Sequence, residues 1–252
     1  MVAVLTGSNH FQRAMRTAWN DGVPNLCRKA LRYLRDEREI DIAVRMDAKR
    51  LREKAARHPS ARGIFIDCGS NLGQGYSYFV RRYPLAQFDF VLVEPNPHCL
   101  PALRSIVRGH EKQVRLIEAA ACTYEGSTLL FGTSGGGNET SDAATIVPYL
   151  APDPDHIERV SGIEVRTFSL SDLLMGKRDD YGAVAVKLDI EGAEYAVLED
   201  LIERGLAPSI DALYVEFHSR YICEPARSRY ARRERAIQEK LAGQGVNFRL
   251  WK

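Results

Sequence analysis

The amino-acid sequence predicts an α/β fold, in which helices cover both faces of a mostly parallel sheet and a helical N-terminal extension precedes it. From residue 61 onward, short apolar runs alternate with segments of helical periodicity, which is typical of repeated βα units. The first apolar run ends in a glycine-rich turn. Of the 252 residues, 45% are hydrophobic and 27% are charged, values that exclude wholesale disorder, collagen and coiled coil.

Core strands are predicted where a short apolar run is bounded by turn residues or by a helical segment. They cover residues 63–67, 90–94, 114–119, 183–189, 212–217 and 246–250. Helices are predicted between the strands from their apolar spacing. They cover residues 76–82, 97–108, 193–204 and 227–242. Strands and helices therefore alternate along most of the chain, as a parallel sheet requires.

Residues 1–60 are predicted to form a helical extension in front of a sheet domain that covers residues 61–252. Helices are expected near residues 24–35 and 39–57, where apolar and charged residues recur at helical spacing. The extension holds 13 Lys and Arg against 7 Asp and Glu, but its aromatic residues are too sparse to form a nucleic-acid stacking surface. A lid over the substrate and an arm for homo-oligomers are the roles left open, and nucleic acid is not expected as a partner.

The sheet domain contains an insertion around residues 122–180. Two stretches in it, 128–131 and 164–168, alternate between apolar and polar residues like strands. Residues 132–141, between these stretches, are rich in Gly, Ser and Asn. Because connections this long are uncommon in compact domains unless they are functional or mobile, the insertion is expected to serve the site.

Cysteine usage and hydropathy together predict a cytoplasmic protein. The five cysteines are widely spaced and include no Cys-x-x-Cys pair, which argues against a disulfide framework or a cysteine zinc site. No apolar run approaches the roughly 18 residues needed to span a bilayer. The first residues lack the basic leader and the apolar length of a signal peptide.

The most informative segment is a buried strand that ends in an acid and continues into a glycine turn. Asp67 is followed by Gly69, Asn71 and Gly73, with Ser70 inside the turn. Glycine permits a positive φ and lets a ligand approach where a Cβ would clash. The turn does not read Gly-x-Gly-x-x-Gly, the dinucleotide fingerprint, and a carboxylate beside a pyrophosphate is repelled. It fits a ligand that carries an ammonium group, such as the methionine part of S-adenosylmethionine.

A second carboxylate ends the next predicted strand. It is Glu94, and Pro95 and Asn96 follow it. In nucleoside-binding α/β folds, a carboxylate at this place accepts hydrogen bonds from the ribose hydroxyls. Asn96 stands where it would line the adenine. These residues and the glycine turn are therefore predicted to bind the cofactor.

Two segments carry a resemblance to a known family. Residues 65–73 read Phe-Ile-Asp-Cys-Gly-Ser-Asn-Leu-Gly, and residues 186–194 read Val-Lys-Leu-Asp-Ile-Glu-Gly-Ala-Glu. Together with residues 215–218, Val-Glu-Phe-His, they resemble the FkbM-type family of S-adenosylmethionine-dependent methyltransferases. The resemblance implies a Rossmann-like class I methyltransferase sheet of about seven strands. It also implies O-methylation of a hydroxyl on a sugar, a glycan or a glycosylated secondary metabolite.

The same resemblance extends the predicted site to residues beyond the two motifs. It places Ala120 near the adenine. It also places Asn138 and Ser141 in a polar loop near the cofactor or the acceptor. The resemblance does not reach the first 60 residues, so it assigns them no role.

Candidate catalytic residues lie at the ends of two later strands. Lys187 and Asp189 are two positions apart and so project from the same side of their strand, and the same holds for Glu216 and His218. An alcohol must lose its proton near the transition state of methyl transfer, and a carboxylate or a histidine within reach accepts it. Asp189 is the first choice for this base and His218 the second.

Further acids surround the predicted catalytic pair. Glu191 and Glu194 follow Asp189 and are predicted, with Glu216, to be substrate-binding or secondary site residues. Asp189, Glu216 and His218 also leave open a divalent cation, Mg²⁺ or Mn²⁺, which would lower the pKa of the acceptor hydroxyl. The alternative functions are an NAD-dependent oxidoreductase on a similar sheet and a non-catalytic nucleoside-binding module.

Overall fold

The computed structural model of the chain describes residues 23–131, 144–147, 162–222, 224 and 226–251. The strands, in chain order, are β1 (Gly63–Cys68), β2 (Phe88–Val93), β3 (Val114–Ile117), β4 (Ala120–Cys122), β5 (Gly126–Leu130), β6 (Ile163–Ser169), β7 (Ala183–Leu188), β8 (Ala212–Val215) and β9 (Phe248–Leu250). The helices are α1 (Val23–Ala55), α2 (Gln74–Phe79), α3 (Leu100–Val107), α4 (Leu170–Lys177), α5 (Glu194–Glu203) and α6 (Ala226–Gly243).

The main sheet has the strand order β3-β2-β1-β7-β8-β9, and every neighbouring pair in it is parallel. The predicted α/β class with a mostly parallel sheet is therefore confirmed. The sheet has six strands in the described part of the chain, where about seven were expected, because the strands of the insertion form a sheet of their own. The strand order reverses between β1 and β7, which is where open α/β sheets bind ligands.

Both faces of the central strands are buried, and their side chains differ between the faces. Ile66 on β1 belongs to an aliphatic cluster that includes Leu198 and Leu201 of α5. Phe65 points to the opposite face, since successive strand residues alternate. There its ring lies 4.5 Å from that of Phe79 and 5.2 Å from that of Phe90, measured between centroids. Helices therefore cover both faces, as predicted.

The insertion builds a small second sheet with the order β4-β6-β5. β4 runs parallel to β6, and β5 runs antiparallel to it. Helix α4 follows β6 directly and was not predicted. The side chain of Ser169 begins this helix by accepting a hydrogen bond from the backbone N–H of Asp172 at 3.1 Å, an N-cap that the sequence pattern of apolar spacing does not reveal.

Helix α1 is continuous over Val23–Ala55, where two helices were expected. Residues 36–38, between the two predicted helices, contain neither Gly nor Pro, so nothing breaks the helix there. The chain divides into two compact units, of which the second begins at Asp47. In this second unit the carboxylate of Asp47 accepts a hydrogen bond from Asn247 at 2.8 Å, which joins the end of α1 to the approach of β9. None of the described helices is long and apolar enough to cross a membrane.

Candidate active site

The predicted site residues gather where four strands of the main sheet end. Carboxyl ends of parallel strands share one edge of the sheet, so β1, β2, β7 and β8 bring their terminal residues to the same side. Residues at the ends of these strands and directly after them carry the polar groups of the site. These residues are Asp67, Gly69, Ser70, Asn71, Gly73, Glu94, Pro95, Asn96, Asp189, Glu191, Glu194, Glu216 and His218.

The glycine turn after β1 is tied to the end of β2. The backbone N–H groups of Gly69 and Ser70 both donate to the carbonyl of Val93 at 3.0 Å. The Ser70 hydroxyl donates to the carbonyl of Asp67 at 2.8 Å and accepts from the N–H of Val93 at 3.0 Å. Three φ angles in the turn are positive, at Gly69, Asn71 and Gly73. The turn is therefore a fixed, tightly bent structure, in which glycine meets the backbone requirement at two of the three positions.

Gly69 is required by a close approach of two backbone segments. Its φ is +81°, and an added Cβ would lie 1.7 Å from the carbonyl oxygen of Asp189. The N–H of Asp189 donates to the carbonyl of Cys68 at 3.1 Å, so the two segments are also hydrogen-bonded. The end of β7 thus passes directly against the turn, and any side chain at position 69 would push them apart.

Glu94 is a buried carboxylate held by two backbone groups. Its Oε2 accepts a hydrogen bond from the N–H of Asn71 at 2.8 Å, and its Oε1 accepts one from the N–H of Asn96 at 2.9 Å. Burial raises the pKa of Glu94, while these two N–H groups act against the rise. Each oxygen keeps a further lone pair, so the carboxylate can still accept hydrogen bonds from a ligand.

Lys187 joins the ends of β1 and β7 by its side chain. Its Nζ lies 3.2 Å from Asp67 Oδ1 and 3.2 Å from Asp189 Oδ2, and it donates to the carbonyl of Gly69 at 3.2 Å. Burial lowers the pKa of Lys187, but the two carboxylates raise it by more, so the ammonium group stays charged. Asp67 is fully buried, and burial raises its pKa against the effect of Lys187. Lys187 is therefore the neighbouring cation of Asp67 in the structure.

His218 is buried between carboxylates. Its Nδ1 lies 3.1 Å from Glu194 Oε1, and its Nε2 lies 3.2 Å from Glu191 Oε2 and 3.7 Å from Asp189 Oδ1. Burial lowers the pKa of the imidazole, but the hydrogen bonds to Glu191 and Glu194 raise it to about 11. Both ring nitrogens therefore carry protons at neutral pH. An imidazolium has no lone pair for a further proton, which favours Asp189 over His218 as the base.

Glu194 and Glu191 reach His218 from the segment after β7. Glu194 is fully buried, and it accepts hydrogen bonds from the N–H of Gly192 at 2.7 Å and from the N–H of His218 at 3.0 Å. Glu191 has a positive φ of 51°, which is uncommon for a residue with a long side chain. Its carbonyl accepts a hydrogen bond from the Thr145 hydroxyl at 2.5 Å. The insertion therefore contacts the backbone of this segment.

Glu216 lies near Asp189 and His218, and all three are residue types that bind metal ions. Asp189, Glu216 and His218 each offer one ligand atom, and these three atoms lie within 4.8 Å of one another. Burial raises the pKa of Glu216, and the charge of Asp189 raises it further. Arg220 forms an ion pair with Glu216 at 2.5 Å, and its side chain is 48% exposed.

Three predicted residues lie apart from this group or outside the described residues. Ala120 belongs to β4 of the small sheet, where it pairs with Thr167, because β3 of the main sheet already ends at Ile117. Asn138 and Ser141 lie outside the residues that the structure describes.

Two residues that contribute contacts to the site, Lys187 and Thr145, were not among the predicted site residues. Lys187 was noted for its position on β7, but its ion pair with Asp67 depends on the pairing of β1 with β7, which places Asp67 opposite Lys187. The signal that marks Lys187 is a lysine inside an otherwise apolar strand that is buried throughout, since such a lysine needs a buried partner. Thr145 had no signal in the sequence.

Comparison with known proteins identifies the family. Residues 67–227 match the sequence model of the methyltransferase FkbM domain, which covers well over half of the chain. No curated protein matches the chain. A crystal structure of methyltransferase FkbM from Methylobacillus flagellatus KT is similar with a TM-score of 0.36 and 16% identity, over 56% of this chain and 29% of that one. The chain thus spans less than a third of the length of that structure. Since the family model matches more than half of the chain, the chain belongs to the FkbM methyltransferase domain family.

Proposed function

We propose that the protein is an S-adenosylmethionine-dependent O-methyltransferase. Its acceptor would be a hydroxyl on a sugar, a glycan or a glycosylated secondary metabolite. Family membership supports methyl transfer. One observation carries the mechanism: the position of a Cβ on Gly69 lies 1.7 Å from the carbonyl of Asp189. The turn assigned to the methyl donor and the carboxylate assigned to the acceptor are therefore neighbours.

The described residues fit S-adenosylmethionine at the carboxylate of Glu94. This carboxylate keeps acceptor capacity on both oxygens, and the ribose hydroxyls are donors. Asp67 is fully buried and pairs with Lys187 at 3.2 Å. The proposal therefore keeps Asp67 as the residue that holds Lys187, whose Nζ donates to the carbonyl of Gly69 in the turn. It also keeps Gly69, Ser70, Asn71 and Gly73 as the turn around the methionine part, and it keeps Pro95, Asn96 and Ala120 near the base.

In this proposal the chain aligns the acceptor hydroxyl with the methyl group and removes the proton of that hydroxyl. Bound S-adenosylmethionine supplies a methyl group that is already activated by the positive sulfur. Asp189 accepts the proton of the acceptor hydroxyl, an effect that is typically worth about 10²–10⁴-fold in rate. Lys187 holds Oδ2 of this carboxylate at 3.2 Å, and Oδ1, which lies 3.7 Å from His218 Nε2, is the oxygen that would take the proton. Positioning the hydroxyl in line with the methyl group supplies much of the remaining acceleration.

A transfer assay tests the proposal. The purified chain is incubated with S-adenosylmethionine that carries a tritiated methyl group, together with a panel of free sugars, glycans and glycosylated metabolites. We expect labelled product from at least one hydroxyl acceptor. Asp189→Asn should lower the labelling rate by about 10²–10⁴-fold, and Asp180→Asn, which changes an exposed aspartate, should retain it. Absence of labelling across the panel, together with no binding of S-adenosylhomocysteine, would overturn the proposal.

A further inference from the structure

We propose that Asp189, Glu216 and His218 bind one divalent cation of the Mn²⁺ or Mg²⁺ type, which receives the acceptor hydroxyl. The binding site itself is inferred from the arrangement of the side chains. Its role in methyl transfer rests on the proposed function. With the cation bound, Asp189 Oδ1 is a ligand and not the base, the cation lowers the pKa of the acceptor hydroxyl, and the hydroxyl proton leaves to solvent. Two carboxylates and one imidazole match the ligand preferences of Mn²⁺, which accepts oxygen and nitrogen donors.

The spacing of the three ligand atoms fits a single ion. They lie within 4.8 Å of one another. Ligands about 2.1 Å from one octahedral ion stand roughly 3 to 4.2 Å apart. Side-chain shifts below about 1 Å therefore close the site around the ion. The remaining coordination positions are filled by water or by the acceptor hydroxyl.

The buried histidine is oriented as metal-binding histidines are. Its side chain is 2% exposed, and its Nδ1 is held 3.1 Å from the fully buried carboxylate of Glu194. Histidines that bind metals usually donate their second ring N–H to a carboxylate, which fixes the ring and aims the other nitrogen at the ion. Here this contact aims Nε2 at Asp189 and Glu191. Binding replaces the Nε2 proton by the cation, and the proton leaves to solvent.

The two oxygens of Asp189 have separate neighbours. Oδ2 lies 3.2 Å from the ammonium group of Lys187, and Oδ1 faces His218 Nε2 at 3.7 Å. Lys187 therefore holds the carboxylate while Oδ1 remains directed into the group. The partner of Glu216 is Arg220, whose side chain is about half exposed and can swing to solvent.

Negative charge exceeds positive charge at this edge of the sheet. The described carboxylates in contact with one another's partners here are five, namely Asp67, Asp189, Glu191, Glu194 and Glu216. The cations beside them are Lys187, His218 and Arg220. A divalent cation that displaces the His218 proton reduces this excess, and it places a Lewis acid beside the turn that would hold the methyl donor.

Direct binding of Mn²⁺ tests the site without reference to activity. The full chain is treated with a chelator, dialysed, and titrated with Mn²⁺ while the electron paramagnetic resonance signal of the free ion is followed. We expect one Mn²⁺ per chain and displacement by excess Mg²⁺. His218→Gln and Glu216→Gln should each weaken binding at least 10-fold. Glu118→Gln, an exposed carboxylate paired with Arg104, is the control and should leave binding unchanged.

The outcomes of the Mn²⁺ titration separate the proposed metal site from the proposed function. The side chain of Glu216 is 14% exposed, against 2% for His218, and Glu→Gln keeps its shape, so Glu216→Gln serves if the buried histidine variant does not fold. No loss of the free Mn²⁺ signal up to millimolar concentrations, or equal binding by Glu216→Gln, overturns the metal site. Methyl transfer that persists in a protein shown to bind no Mn²⁺ also overturns it but leaves the proposed function standing. Mn²⁺ binding without binding of S-adenosylhomocysteine keeps the site and overturns the proposed function.

Discussion

Replacing Lys187 by methionine should destabilise the sheet domain strongly. The variant keeps the length of the side chain but removes the ammonium group that lies 3.2 Å from both Asp67 and Asp189. Asp67 is fully buried and would lose its neighbouring cation. Removing one partner of a buried ion pair costs about 3–5 kcal/mol of unfolding free energy. At roughly 2–4 °C per kcal/mol for a domain of this size, the melting temperature should fall by roughly 6–20 °C.

The destabilisation by Lys187→Met should depend on pH. Burial already raises the pKa of Asp67, and removal of Lys187 raises it further. As the pH rises, the unfolded chain therefore ionises this carboxyl before the folded chain does. The loss of stability caused by the unpaired carboxylate is absent below the ordinary carboxyl pKa of about 4. It grows with pH until the pH exceeds the pKa of Asp67 in the folded state. The stability difference from the unsubstituted protein should be smaller at about pH 5 than at about pH 8.

Urea unfolding followed by circular dichroism measures both effects. The matched control is Lys177→Met, which removes an exposed ion pair with Asp180 and should cost about 1 kcal/mol or less. Adding Asp67→Asn to Lys187→Met removes the unpaired buried charge and should recover part of the loss. A change below about 0.5 kcal/mol for Lys187→Met alone would refute the reasoning, because the ion pair would then not be stabilising Asp67.

Three further substitutions test the site. Asp189→Asn should lower the rate of methyl transfer by about 10²–10⁴-fold. It should change the affinity for S-adenosylhomocysteine, measured by calorimetry, by less than twofold. Full activity of this variant would contradict the role of Asp189 as the base. Glu94→Gln should weaken S-adenosylhomocysteine roughly 10–100-fold, since hydrogen bonds to charged groups are worth about 1.5–3 kcal/mol, whereas Glu118→Gln should not. Gly69→Ala should lower the free energy of unfolding in urea by more than about 2 kcal/mol, because both the positive φ and the carbonyl of Asp189 oppose a Cβ at this position. Gly109→Ala is the control and should lower it by less, because a Cβ at position 109 would meet no atom within 4 Å.

The strands of the sheet and the site residues at their ends could be predicted from patterns of neighbouring residues in the sequence. A buried apolar run that ends in a polar residue marks both a strand and its end, so β1, which contains Asp67, and β2, which Glu94 follows directly, were predicted. The two-residue period of a strand also predicted that Lys187 and Asp189 share a side, and the structure places their charged groups 3.2 Å apart. These features depend only on neighbours in the sequence, which is why they are visible there.

Contacts between distant segments were not predictable in the same way. The approach of the Asp189 carbonyl to Gly69 depends on the pairing of β1 with β7, which are separated by more than 100 residues. The protonated state of His218 depends on Glu194, which reaches it from the start of a different element. The histidine was considered as a base because its sequence position shows neither its burial nor the two acids beside it.

The central claim is that the crevice at the ends of β1 and β2 binds an amino-acid-bearing nucleoside. Isothermal titration calorimetry of the chain with S-adenosylhomocysteine, and separately with NAD, tests this claim most directly. We predict that S-adenosylhomocysteine binds with a stoichiometry near one and that NAD does not compete with it. Tight binding of NAD, or no heat of binding with S-adenosylhomocysteine, would contradict it.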